Sequence, residues 1–154
     1  MGENKKIKNA TQNTVGDITF KSRLEAMIYR VLKENGFNVE YEPWKFVIWE
    51  GYKPKVPFYD RNPNTGLLRN NTTKLIDITY TPDFCFEYGD LFIIIEAKGL
   101  ENDRFPMKKK MFRKSLEEWE TPVMYFELYS KKQLMQAIEI IKNYGQNSSN
   151  QGDA

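Results

Sequence analysis

The chain has 154 residues, 40% hydrophobic and 14% aromatic, enough for one packed domain and too little to suggest a second. It holds one cysteine, Cys85, and no histidine, which excludes an intramolecular disulfide, a zinc site built on cysteine or histidine, and a histidine general base. A net charge of +2 neither demands nor excludes a polyanionic partner, so the placement of charge matters more than its total.

Residues 1–16 are polar and read as a flexible tail in which Lys5, Lys6 and Lys8 could touch phosphates. No stretch of signal-peptide length follows, and the longest apolar run, residues 91–95, is far too short to span a bilayer. The expectation is a soluble, cytoplasmic protein with no membrane partner. A first helix should begin near Ser22, because Ser22-Arg23-Leu24-Glu25 has the form of a capping box and Leu24, Ile28, Val31 and Leu32 recur at helical spacing until Gly36. A strand over residues 39–48 follows, alternating Val39, Tyr41 and Pro43 with Glu40, Glu42 and Trp44.

Residues 49–74 are rich in turn signals, among them Lys53-Pro54, Val56-Pro57 and Asn62-Pro63-Asn64-Thr65-Gly66, and read as a long loop or irregular hairpin. Loops of that length in compact domains often act as lids or binding arms. With Lys53, Lys55, Arg61, Arg69, Tyr52, Phe58 and Tyr59, this one suits contact with nucleic acid and equally suits a decorated hairpin.

Two strands should come next, over 75–87 and 91–97, joined by a tight turn at Tyr88-Gly89-Asp90. The second is continuously apolar, as a central strand covered on both faces would be. A helix is expected over 105–119, with Pro106 in its first turn, Met111, Phe112, Ser115, Leu116 and Trp119 inward, and lysines outward. A strand over 123–128 leads to a second capping box, Ser130-Lys131-Lys132-Gln133, and a last helix with the stripe Leu134, Ala137, Ile138 and Ile141. Residues 145–154 are polar and read as a disordered tail, leaving 17–144 as the domain. The order is αβββαβα, an α/β fold with a mixed sheet flanked by helices.

Chemistry concentrates at the ends of the two middle strands. Thr81-Pro82-Asp83-Phe84 precedes the apolar run, which ends in Glu96-Ala97-Lys98-Gly99. Residues two apart on a strand share a face, so Glu96 and Lys98 point together while Ala97 points away. Asp83 and Glu96 are hard oxygen ligands of the kind Mg²⁺ takes, and Lys98 beside them can hold a water or a phosphate charge; the competing reading is a solvated pair where the sheet stops. Pro82, unable to donate to a ladder, marks an edge or bulge. Cys85, between Phe84 and Phe86, reads as a small buried thiol. Lys108, Lys109, Lys110 and Arg113, with Lys131 beyond, form a basic face suited to a phosphate backbone or simply to solvent. Trp44, Trp49 and Trp119 suit base stacking or the core.

Pro-Asp followed after a spacer by Glu-x-Lys on an apolar strand resembles the PD-(D/E)XK nuclease superfamily. The segments Phe20-Lys21-Ser22-Arg23-Leu24-Glu25 and Val39-Glu40-Tyr41-Glu42-Pro43-Trp44-Lys45 extend the resemblance to phage endonuclease I, a Holliday-junction resolvase, and to related small phage nucleases. The resemblance implies a restriction-endonuclease-like core and a metal-dependent DNA endonuclease selective for branched DNA. It also implies Mg²⁺ replaceable by Mn²⁺, DNA as partner, a possible homodimer, and the host cytoplasm as location. Glu25 and Glu40 would join Asp83, Glu96 and Lys98 as catalytic residues, with Asp83, Glu96, Glu40 and the Ala97 carbonyl around the metal. Glu25 is also explained as a helix cap, and Glu42 competes with Glu40 as the inward acid, the resemblance favouring Glu40. A nuclease for duplex or single-stranded ends and a non-catalytic DNA-binding module remain the alternatives. The stretch between Glu40 and Asp83 is longer than in endonuclease I.

Overall fold

The computed structural model describes residues 13–99 and 105–150. Along the chain come β1 (Thr14–Val15), β2 (Ile18–Thr19), α1 (Arg23–Glu34), β3 (Glu40–Tyr41), β4 (Phe46–Trp49), β5 (Tyr59–Arg61), β6 (Leu68–Asn70), β7 (Ile78–Tyr80), β8 (Phe84–Tyr88), β9 (Leu91–Ala97), α2 (Phe105–Leu116), β10 (Val123–Leu128) and α3 (Lys131–Asn150). Both capping boxes form. The Ser22 hydroxyl accepts the Glu25 N–H at 3.1 Å while the Glu25 carboxylate takes the Lys21 N–H at 3.1 Å, and α1 then runs until Gly36, at φ +85°, turns the chain. At α3 the Ser130 hydroxyl accepts the Gln133 N–H at 3.3 Å and the Gln133 amide oxygen takes the Tyr129 N–H at 2.6 Å.

The fold is α/β, with a mixed sheet in the order β10-β9-β8-β3, where β10 runs parallel to β9 and the other pairs are antiparallel. The run Leu91 to Ile95 is apolar on both sides because β9 is covered on both faces. Leu91, Ile93 and Ile95 pack with Ile28 and Leu32 of α1 and Leu134 and Ile141 of α3; Ile94 packs with Tyr80, Cys85, Phe105 and Phe112 beneath α2. Burying one such side chain contributes about 1.5–3 kcal/mol, so β9, α1 and α2 hold their positions firmly. No helix among the described residues is long and apolar enough to cross a membrane.

Five elements differ from the sequence expectation. The strand over 39–48 divides, because Glu42 takes φ +46° and Pro43 has no N–H for a ladder: β3 pairs with β8, and β4 leaves to pair with β7. The strand over 75–87 divides in the same way at Thr81-Pro82, into β7 and β8. Part of the expected N-terminal tail forms the hairpin β1–β2, turned by Gly16 at φ +59°, whereas the stretch 49–74 contains the hairpin β5–β6, one of the two forms expected for it. Finally, α3 continues to Asn150, past the end expected at Tyr144, whereas α2 ends at Leu116 rather than Trp119. Residues 1–12 and 151–154 of the expected tails lie outside the described residues.

The arm between β4 and β7 is anchored at Gly51, whose N–H reaches Asp77 Oδ1 at 2.7 Å. A Cβ there would sit 2.1 Å from the Leu75 carbonyl oxygen and 2.6 Å from the Ile76 carbonyl carbon. Backbone does not yield as a side-chain tip does, so Gly51→Ala should cost about 1–3 kcal/mol in chemical denaturation. An unchanged midpoint would show that the arm is not seated this closely.

Candidate active site

Both strand breaks fall at one place. The Glu42 N–H bonds the Asp83 carbonyl at 2.8 Å, so the turn at Glu42 lies against the break at Pro82. The antiparallel register sets Phe84 opposite Ile95, which brings the next pair, Asp83 and Glu96, together at the end of the ladder. A cleft of about 540 Å³ opens here, lined in part by Glu42, Tyr80, Asp83, Glu96, Phe105 and Lys108.

The two acids are buried or nearly so, and each has a neutral anchor. Asp83 Oδ2 accepts the Ala97 N–H at 2.7 Å; Glu96 Oε2 accepts the Tyr80 hydroxyl at 2.6 Å, and that hydroxyl lies 2.8 Å from the hydroxyl of Tyr125. Among the described residues, neither carboxylate forms an ion pair with a lysine or arginine. Burial first, and the Glu96 charge second, push the Asp83 carboxyl up to about 7 against the pull of the Ala97 N–H. Burial also raises Glu96, opposed by the Tyr80 hydrogen bond and the Lys98 charge. Tyr80 and Tyr125 are raised as well, chiefly by burial.

Lys98 follows the strand out of the sheet, its N–H on the Leu128 carbonyl at 2.8 Å. Its side chain is 6% exposed, and Nζ lies 2.8 Å from the centre of the Phe105 ring, a cation held on an aromatic face. Its charge reaches Glu96, two residues back along the chain.

Glu25 is both cap and neighbour of the acids: 7% exposed, it also accepts the Tyr41 hydroxyl at 2.8 Å, and its charge raises Asp83 and Glu96. Glu40 is a correction. It is exposed, pairs opposite Cys85, and does not line the cleft; burial first, and the Glu40 charge second, push the Cys85 thiol up to about 12. Glu42 lines the cleft instead and is bonded to Lys21. In an unbroken strand Glu40 and Glu42 would share a face; the left-handed turn at Glu42 separates them.

The basic residues divide too. Lys108 lines the acidic cleft, and Lys110, Arg113 and Lys131 are exposed. Lys109 is spent on Glu127, at 2.8 Å, whose other oxygen accepts the Tyr129 hydroxyl, so its charge is largely internal. Lys109, Arg113, Tyr125 and Glu127 line a second cleft of about 450 Å³. Trp119 packs between Phe46 and Phe92, and Trp49 against Tyr52, which leaves Trp44, 56% exposed, as the open indole of the three. Sequence reasoning did not single out Tyr80 or Tyr125, because only the strand register joins two tyrosines so far apart to Glu96.

The acids suit a hard divalent cation: oxygen donors, close together, and in no ion pair among the described residues. Among the described residues no three Asp, Glu, His or Cys side chains are placed to hold a metal ion by themselves. Any cation held here would need further oxygen donors from backbone, water or a bound phosphate.

A sequence profile of the family described as protein of unknown function (DUF1064) matches residues 5–132. No curated protein and no solved structure matches the chain.

Proposed function

The chain belongs to the DUF1064 family, and from the chemistry of its acidic cleft we propose that it is a metal-dependent DNA endonuclease, selective for branched DNA in the manner of a Holliday-junction resolvase. The observation that carries the reading is the pair Asp83, buried, and Glu96, partly buried, neither in an ion pair among the described residues and the second under the charge of Lys98. Asp83 and Glu96, with the Ala97 carbonyl, would hold Mg²⁺ or Mn²⁺. When bound, such an ion polarises a phosphate and acidifies a coordinated water.

The chain's own groups do the rest. Tyr80 fixes the Glu96 carboxylate through its hydroxyl, and the Ala97 N–H fixes that of Asp83. Lys98, whose charge acts on Glu96, would orient the attacking water and offset charge on the phosphate. Lys108, at the cleft, draws the DNA backbone toward two acids that would otherwise repel it. Selectivity for branches rests on the resemblance to endonuclease I and on the lack of any motif that reads base edges. A homodimer acting in the cytoplasm of a host cell belongs to the same reading.

The test is a panel of end-labelled four-way junction, flap, duplex and single-stranded DNA, incubated with Mg²⁺ or Mn²⁺. Junction cleavage well above the others is expected. Equal cleavage of all would leave an endonuclease without branch selectivity, and no cleavage of any would refute the nuclease. Within the site, Glu42→Gln should slow cleavage about tenfold or more, because it removes a cleft carboxylate and frees Lys21, whereas Glu40→Gln should change the rate less than about twofold. The reverse ranking, measured in single-turnover assays, would restore Glu40 to the site.

A further inference from the structure

The positive charge of this molecule resides in its arm. Residues 52–76 contain five basic residues against one acid, Asp60, for a net charge of +4; since the whole chain is +2, the remainder is −2. A polyanion is drawn to the arm before it meets the acidic cleft.

The arm's hairpin has two unlike faces. Its register sets Tyr59 opposite Asn70, Asp60 opposite Arg69, and Arg61 opposite Leu68; opposite residues share a face and successive ones alternate. One face is closed on itself, Asp60 taking Arg69 Nε at 2.8 Å and Asn71 Nδ2 at 2.9 Å. The other presents Tyr59, 59% exposed, Leu68, 77% exposed, and Arg61, which has no carboxylate partner among the described residues. The ring and the leucine are open to solvent, and the Arg61 guanidinium lies over the hairpin turn at Gly66 with no carboxylate beside it among the described residues. They are the groups that stack on bases and wedge between them. The arm springs from the β4–β7 ladder at Trp49 and Ile78, and the same ladder ends at Phe46 and Tyr80, beside Glu96.

We propose that the Tyr59, Arg61 and Leu68 face is a base-stacking platform, engaging unstacked bases at the branch point of a DNA substrate while Lys53 and Lys55 neutralise flanking phosphates. This rests on the nuclease reading and adds the element that recognises the branch. The charge of the arm favours nucleic acid over a protein partner for this face.

The experiment uses full-length Asp83→Asn protein in Ca²⁺, a four-way junction with 2-aminopurine at the branch, and a linear duplex of matching sequence. Binding should raise the 2-aminopurine fluorescence severalfold. Adding Tyr59→Ala, Arg61→Ala and Leu68→Ala together should abolish that rise and weaken junction binding about tenfold or more, with duplex binding changed less than about threefold. A second variant, Lys53→Gln with Lys55→Gln, keeps the platform and should make the slope of log affinity against log salt shallower by about 0.9 for each phosphate no longer neutralised. A triple variant that still binds the junction and raises the fluorescence as its parent does overturns the platform. So does one whose only change is dissociation of a dimer in light scattering, which would make the arm a contact between copies. Wild-type protein that cuts DNA alongside an unaffected triple variant defeats the platform alone; wild-type protein that neither binds nor cuts defeats the nuclease and the platform together.

Discussion

Without divalent metal at pH 8, Asp83→Asn should unfold roughly 5–15 °C above wild type, while at pH 4 the two proteins should nearly coincide. The sign follows from the direction of the shift. The Asp83 carboxyl titrates at about 7 in the fold against an ordinary value of 3.8, so its contribution to stability is complete below about pH 4 and is lost as pH rises toward 7. That loss is on the order of 2–4 kcal/mol, and an asparagine, neutral throughout, does not incur it. The asparagine amide oxygen can still accept the Ala97 N–H, which keeps the end of β9 in place. Mg²⁺ should close most of the gap at pH 8, adding about 2.7 kcal/mol to wild type at one hundred times its dissociation constant and little to the variant. Differential scanning calorimetry at pH 4 and pH 8, with and without Mg²⁺, checks both halves. A variant no more stable than wild type at pH 8 would mean that the two acids are not an uncompensated pair.

Lys98→Met should lower the cleavage rate by about 10²–10⁴-fold with little change in fold or DNA affinity. Methionine fills the space against Phe105 and removes a buried charge, so the packing has no reason to fail. The lysine charge also holds Glu96 down; without it, the acidic limb of the pH–rate profile should move to higher pH. Lys98→Arg separates the two roles, since arginine keeps the charge but presents a wide fork in place of a compact ammonium. Turnover unchanged in the methionine variant would make Lys98 a packing residue.

Local signals carry most of the elements. The run Leu91 to Ile95 announces a strand covered on both faces, and Ser22 with Glu25 and Ser130 with Gln133 announce the two capped helices, because each depends on neighbours within four residues. Partner exchange between strands is not of that kind. Pro82 signals an edge or bulge, whereas Pro43 reads as part of one strand; that β4 and β7 leave together, and that Glu42 rather than Glu40 then enters the cleft, depends on the two breaks meeting in space. The hairpin β5–β6 carries no alternation of apolar and polar residues, so turn signals alone point to it and leave its strands without bounds. The polar residues after Tyr144 read as tail by composition. They continue α3 because Ile138 and Ile141 anchor the preceding turns, and extending an anchored helix needs no new nucleus.

Of the candidate site, Asp83, Glu96 and Lys98 are legible because the ends of an apolar strand and its hairpin partner must be adjacent. Tyr80 and Tyr125 are not, since their hydroxyls meet only through the β9–β10 register and the return of β7. Nor does Lys109 differ from Lys108 in sequence; the helical turn alone sends one to Glu127 and the other to the cleft.

The central claim is tested most directly by cleavage of a 5′-labelled four-way junction by wild type and Asp83→Asn side by side, in Mg²⁺ and in EDTA. Wild type should cut in Mg²⁺ and stop in EDTA, and Asp83→Asn should be slower by at least about 100-fold while still binding the junction. Cleavage by Asp83→Asn at the wild-type rate, or by wild type in EDTA, would contradict a metal-assisted site built on Asp83 and Glu96.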